Sequence, residues 1–112
     1  MKAPRLTRKL VLEGAARAPD GSGGYVLVWA ALGSLWAEVV AGSGRERAGE
    51  MVTLALVPYR IRVRAAPVGS VQRPRPEQRF RDGGRLFRIL AVAEDDAGGH
   101  YLTCFTHEEV VA

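Results

Sequence analysis

His100, Cys104 and His107 are the residues best suited by type to hold a metal, and they stand close together near the end of the sequence. Their spacing argues against a shared site. Tyr101 to Thr106 (YLTCFT) reads as a strand, and Cys104 and His107, an odd number apart, then point to opposite faces. The paired spacings of zinc ligands are missing. Cys104 reads more simply as a small buried hydrophobe, and as the sole cysteine it has no partner for an internal disulfide, in keeping with a reducing compartment. Glu94, Asp95 and Asp96 suit a cation by charge, but with Ala97-Gly98-Gly99 behind them they read as a solvated turn. Signatures of nucleotide binding and of a nucleophile elbow are absent: no G-x-x-x-x-G-K-[ST], no G-x-G-x-x-G after a strand, no G-x-S-x-G. Gly21-Ser22-Gly23-Gly24 joins two strands without the helix N-terminus that holds phosphate. No catalytic set assembles, so no enzymatic activity, cofactor or metal is expected.

The charged residues carry more information. Tyr59, Ile61 and Val63 alternate with Arg60, Arg62 and Arg64, so a strand here lines three guanidinium groups along one face. Two readings stand: a solvated outer face, or a surface that meets acidic side chains of another subunit or a phosphate backbone. Arg73 and Arg75 make the following proline-rich loop basic as well. Net charge is +4, with Lys2 and Lys9 as the only lysines. Arginine suits phosphate and carboxylate contacts, but a GC-rich genome accounts for the bias equally well.

These residues must be positioned by strands. Arg8 to Ala16 reads as a first strand with Leu10 and Leu12 on one face and Lys9, Val11 and Glu13 on the other. Pro19 to Gly24 is a hairpin loop. Tyr25 to Leu32 follows as a strand whose two faces are both apolar, which predicts a central or covered position. Gly33 is expected to turn the chain into a third strand, Leu35 to Val40. Gly42-Ser43-Gly44 breaks that strand, and Ser43 with Glu46 has the S-x-x-E form of a capping box. A short helix over about Gly44 to Met51 is predicted, weakened by Gly49 at ~1 kcal/mol relative to alanine. Arg45, Glu46, Arg47 and Glu50 leave it little apolar face beyond Ala48 and Met51.

Thr53 to Ala65 is the next strand, with Pro58 at an edge, a bulge or the true start. Ala66 to Gln78 is a loop. Asp82-Gly83-Gly84 is a tight turn before Arg85 to Ala93, where Phe87, Ile89 and Ala91 face away from Leu86, Arg88, Leu90 and Val92. Tyr101 to Thr106 is the last strand, and His107-Glu108-Glu109 ends the ordered part. Trp29 and Trp36 read as core or interface anchors. The expected fold is mainly β, a small antiparallel barrel or sandwich of six to seven strands with one short α-helix.

With 112 residues the chain is expected to form one domain, residues 1–112, able to bury a core without metal or disulfide. The longest apolar runs are far shorter than the ~20 residues of a membrane helix. The N-terminus has no sustained apolar stretch or small-residue cleavage site, so no secretory signal is read there and synthesis in the cytosol is expected.

Taken in order, D-G-S-G-G-Y (Asp20 to Tyr25), Trp29, L-W-A-E-V (Leu35 to Val39), S-G-R-E (Ser43 to Glu46), Y-R-I-R-V-R (Tyr59 to Arg64) and D-G-G-R-L-F-R-I-L-A-V (Asp82 to Val92) resemble the head-tail joining proteins. These are the head-closure or stopper proteins of long-tailed phages and gene transfer agents. The resemblance runs from about Leu6 to Glu109, and the Val68 to Gln78 loop departs from it by its richness in proline and arginine. It implies a small β-barrel with a short helix, assembled as a homo-oligomeric ring, hexameric or alternatively dodecameric. The ring would stand between portal and adaptor proteins on the head side and tail terminator or tail tube proteins on the tail side. Double-stranded DNA would pass through it, with no membrane involved. The protein would be made in the bacterial cytoplasm and built into the particle at the head-tail junction. The family's channel-closing loop maps to Gly42 through Pro58, which makes Ser43, Arg45, Glu46, Arg47, Glu50 and Met51 the gating segment. Arg60, Arg62, Arg64, Arg73 and Arg75 become candidates for subunit interfaces or the DNA channel. The alternative is a monomeric OB-like or SH3-like module that binds nucleic acid through the Arg60 to Arg64 face. Against it, the only aromatic expected near those arginines is Tyr59, on the opposite face, and a stacking platform would need more.

Overall fold

The computed structural model describes residues 3–42 and 57–109. Six strands, β1 (Arg8–Pro19), β2 (Tyr25–Ala41), β3 (Val57–Arg64), β4 (Arg79–Asp82), β5 (Arg85–Glu94) and β6 (Tyr101–Glu109), close into an antiparallel barrel in the order β1-β2-β3-β6-β5-β4. The mainly β, antiparallel expectation is borne out, in its barrel form. There is no helix among the described residues; the helix predicted over Gly44 to Met51, the Thr53 to Leu56 part of the predicted strand and all six gating residues lie outside them.

Strict alternation builds the core. Leu10 and Leu12 of β1, Ala37 of β2, Ile61 and Val63 of β3, Phe80 of β4, Phe87 and Ile89 of β5, and Leu102 and Cys104 of β6 are fully buried. Burying each large side chain stabilises the fold by roughly 1.5–3 kcal/mol. Asp82 leads into a two-residue hairpin in which Gly83 alone has positive φ, 61°. That pattern is the one a type II′ turn requires at its first central residue.

Several boundaries differ from the sequence expectation. Gly33 does not turn the chain; Tyr25 to Ala41 is one strand. Leu12 pairs with Gly33 and Glu13 with Ala31, so Leu32 is an extra residue, a β-bulge that bends the strand rather than ending it. A second bulge falls on β5, where Ile89 pairs with Thr106 and Ala91 with Phe105. Leu90 is the extra residue, and beyond it the faces exchange, so Val92 rather than Ala91 packs against the core. β1 runs on to Pro19, and β6 takes in His107, Glu108 and Glu109.

The bulge at Leu32 marks where β1 and β2 leave the barrel. β1 pairs with β4 only over Val11 to Glu13, and β2 with β3 only over Ala37 to Ala41. The rest of the β1–β2 hairpin is a two-stranded ribbon. Tyr25 to Val28 are therefore exposed, against the expectation of a covered strand. The Cα radius of gyration, 15.2 Å with extents of 52 × 37 × 23 Å, reflects this projection; a compact chain of ~100 residues measures about 13 Å.

Strand directions give the barrel two unlike ends. The ribbon, the 65–78 loop and the 95–100 turn leave one end; the start of β1, the end of β6, the Gly83-Gly84 turn and the roots of the 43–56 segment lie at the other. The 65–78 loop connects β3 to β4 across the barrel, and its Pro74 is buried.

Candidate functional site

The arginine row lies where alternation placed it. Ile61 and Val63 point inward, Arg60 and Arg64 are exposed, and Arg62 is half-buried. Pairing across the sheet sets Arg60 between Val40 and Phe105, Arg62 between Glu38 and Thr103, and Arg64 beside Tyr101. Val40, Phe105, Leu90 and the nearby Trp36 are all exposed, at 41–55%. Tyr59 is thus not the only aromatic near these arginines, contrary to the sequence expectation. Tyr101, Phe105 and Trp36 come from neighbouring strands, a juxtaposition that spacing within one strand cannot reveal.

The three guanidinium groups are not equivalent. Arg62 lies 3.4 Å from the Glu38 carboxylate and 3.6 Å from that of Asp95. Asp95 in turn accepts the Thr103 hydroxyl at 2.6 Å. Arg64 sits over the Tyr101 ring, 5.6 Å from its centroid. Asp96 accepts the backbone N–H groups of His100 and Tyr101 at 2.9 and 3.1 Å. The acidic run therefore folds its own turn and holds a strand arginine.

The 43–56 segment departs from a closed base. The Gly42 N–H donates to the Pro58 carbonyl at 2.7 Å. A Cβ at Gly42 would lie 3.0 Å from the Pro58 ring, so the two roots are in contact. Beside them Arg60, Leu90 and Phe105 line a shallow pocket. Arg73 and Arg75 are not brought to this end. They belong to the opposite end, where Arg73 donates to the Ala66 carbonyl at 2.8 Å, and both line a groove with Leu32, Val68, Val71 and Gln78.

Sequence reasoning missed the base of the ribbon. Glu13, 7% exposed, receives Arg79 at 2.7 Å and Arg81 at 2.8 Å. Burial by itself would raise the Glu13 pKa, but the hydrogen bonds and charges of Arg81 and Arg79 outweigh it and hold the carboxyl below its ordinary value. Trp29 stacks under the guanidinium of Arg79 at 4.0 Å and lies 5.3 Å from that of Arg88. Arg88 is itself tied to Glu77 at 3.1 Å. Trp29 is thus an anchor, though of the ribbon on the barrel, and Trp36 is exposed outside the core. The available signal was the missing polar face of Tyr25 to Leu32, which reads as burial inside the chain.

Cys104 is fully buried, and desolvation pushes its thiol up to about 12. It is the inert hydrophobe that its pattern implied. The arrangement offers surfaces for binding: an arginine and aromatic face, a projecting apolar ribbon and a basic loop.

The chain matches the family described as "Phage head completion protein" over residues 1–109. Among solved structures it is similar to a chain of the "Virion of native gene transfer agent (GTA) particle", with 69% identity over 98% of this chain and 100% of that one and a TM-score of 0.81. It also shares the fold of protein SF1141 from Shigella flexneri 2a, at 21% identity, full coverage of both chains and a TM-score of 0.70. No curated protein matches it. The family is one of virion structural proteins and not of enzymes, and by a match that spans nearly its whole length this barrel with its ribbon belongs to the phage head completion proteins.

Proposed function

We propose that this head completion protein is a neck connector: a homo-oligomeric ring, hexameric or alternatively dodecameric, between the portal and adaptor proteins and the tail terminator or tail tube. Double-stranded DNA passes through the ring, and residues 42–58 close it before the tail is attached. The observation that carries this reading is the two-ended layout. A protein that joins two different neighbours needs two unlike ends, and here the apolar ribbon and the basic 65–78 loop leave one end while the start of β1, the end of β6 and the roots of the 43–56 segment lie at the other. The origin of the relative with 69% identity, a gene transfer agent virion, supports it. Ring closure then requires head-to-tail contacts between unlike surfaces of successive copies. Cryo-electron microscopy of particles carrying an enlarged tag on this chain tests the reading: the expected result is tag density as a closed ring at the head-tail junction. Density elsewhere, or isolated copies without ring symmetry, overturns it.

The Trp36, Tyr101 and Phe105 side chains beside the arginine row favour, as a second reading, a nucleic-acid-binding module. The engagement of Arg62 by Glu38 and Asp95 weighs against it. Anisotropy of a short labelled duplex with free protein separates the two, since a phosphate-binding face gives a steep loss of affinity with salt.

A further inference from the structure

The ribbon has two long edges with no strand partner among the described residues. On one side β1 is unpaired outward from Ala15 to Pro19, on the other β2 from Tyr25 to Leu32. A lone two-stranded ribbon is marginal in water, and proteins ordinarily guard such edges with charge, proline or bulges. The guard is thin here: Arg17 and the terminal Pro19 on β1, and no charged residue between Tyr25 and Ala37 on β2. Nor does the ribbon have one wet face and one dry face. Tyr25 and Leu27 are 61% and 54% exposed on one face, while Val26 and Val28 are each 49% exposed on the other. Cover on both faces and at both edges is what a strand receives inside a larger sheet.

We propose that the ribbons of successive copies pair edge to edge, β2 of one copy against β1 of the next, and form a shared antiparallel crown at the end opposite the 43–56 segment. This rests on the ring reading above. A second copy is the fitting occupant because the two free edges are unlike, lie on opposite sides of the ribbon and run antiparallel. Rotation about a ring axis therefore brings the β2 edge of each copy to the β1 edge of its neighbour, with no edge left over once the ring closes. Main-chain hydrogen bonds supply the contact, as in other strand additions. The side chains agree: β1 offers Ala15, Ala16 and Ala18, and β2 offers Tyr25, Val26, Leu27 and Val28, so large groups of one copy meet small ones of the next. Rotation also preserves height along the axis. Ala16 and Val28, partners within one ribbon, then stand level across the joint, apart from the stagger that closing a barrel imposes.

Thiol cross-linking in assembled particles tests the crown. Two tagged chains are co-expressed, one carrying Ala16→Cys and the other Val26→Cys, Val28→Cys or Ala30→Cys, so that no intramolecular link can form between the new thiols. Cys104 stays silent, being fully buried. The expected result on oxidation is a disulfide-linked heterodimer of the two tags at one or more of the three offsets, since only adjacent strands bring Cα atoms within the ~4.4–6.8 Å that a disulfide spans. The control pair of Ala16→Cys with Val40→Cys, at the other end of the barrel, should give none. Multimers fixed by a non-specific cross-linker without a thiol link at any offset overturn the crown and leave the ring standing. Absence of chain-to-chain links by either route overturns the ring reading and the crown with it.

Discussion

One carboxylate oxygen of Asp95 is held by the Thr103 hydroxyl at 2.6 Å, and the other is buried without a hydrogen bond, 3.6 Å from the Arg62 guanidinium. Removing that guanidinium leaves a buried charge uncompensated, so Arg62→Gln should lower stability in urea by ~2 kcal/mol, whereas Arg60→Gln or Arg64→Gln should each stay within ~1 kcal/mol. The double variant Arg60→Gln/Arg64→Gln consequently separates assembly from folding: a normal denaturation midpoint with fewer full, tailed particles is expected if the row meets a partner, and normal particle counts return it to a solvated face. Glu13 gives a pH signature. Its carboxyl is held below the ordinary value by Arg81 and Arg79 against the opposing effect of burial. Its contribution is therefore complete above its unfolded pKa of ~4.3 and disappears as pH falls through the lower folded value. Glu13→Gln should be clearly less stable than the parent at neutral pH, with the gap in urea midpoint narrowing as the medium is acidified into and below the carboxylate range. Alternation made the arginine row legible, but it made three alike residues of it. Their partners Glu38, Asp95 and Tyr101 stand on β2, the β5–β6 turn and β6, which period alone does not bring together.

At the scale of elements, the ribbon owes its direction to one inserted residue and its anchorage to one ring. Leu32 bulges where the hairpin leaves the barrel, and Trp29 lies under Arg79, whose own orientation is fixed by Glu13 at 2.7 Å. Trp29→Leu keeps an apolar side chain but loses the stacking, worth roughly 0.5–2 kcal/mol per contact. Amides of residues 15–31 should then exchange faster by about that free energy while those of β3 and β6 keep their protection, as seen by NMR hydrogen exchange; uniform loss of protection would mean that the ribbon and barrel unfold as one unit. The turns were readable because each carries its own chemistry: Gly83 with φ of 61° ends β4, and Asp20 closes the ribbon tip by accepting the Ser22 and Gly24 N–H groups. The bulges were not. Leu32 and Leu90 are ordinary strand residues, and what makes them extra is the register of a partner far away in sequence. This is why Gly33 reads as a turn and why Ala91 and Val92 exchange faces.

For the whole molecule, the fold was legible from strand count and turn spacing, while its shape was not, because an apolar stretch reads alike whether it is covered by its own chain or by another. The same reasoning bears on the segment between Gly42 and Pro58. The barrel does not depend on it for closure, since β2 and β3 are already joined at its base by the Gly42 to Pro58 hydrogen bond of 2.7 Å and by five residue pairs from Ala37 to Ala41. Shortening a connection whose ends are fixed changes loop entropy only by tenths of a kcal/mol to about 1 kcal/mol. Deleting Arg45 to Glu50 should therefore leave the circular dichroism and melting temperature of the free protein near those of the parent. If the segment closes the channel, as we propose, particles built with the deleted chain should lose DNA before tails are added, measured as nuclease-accessible DNA in tailless heads. Retention of DNA by such particles would move closure to another part of the neck. Within this chain the next place to look would be the opposite end, where Arg73 and Arg75 stand on the 65–78 loop beside the ribbon. Substituting those two arginines with glutamine in the same assay then decides whether that end holds DNA or serves only to meet protein.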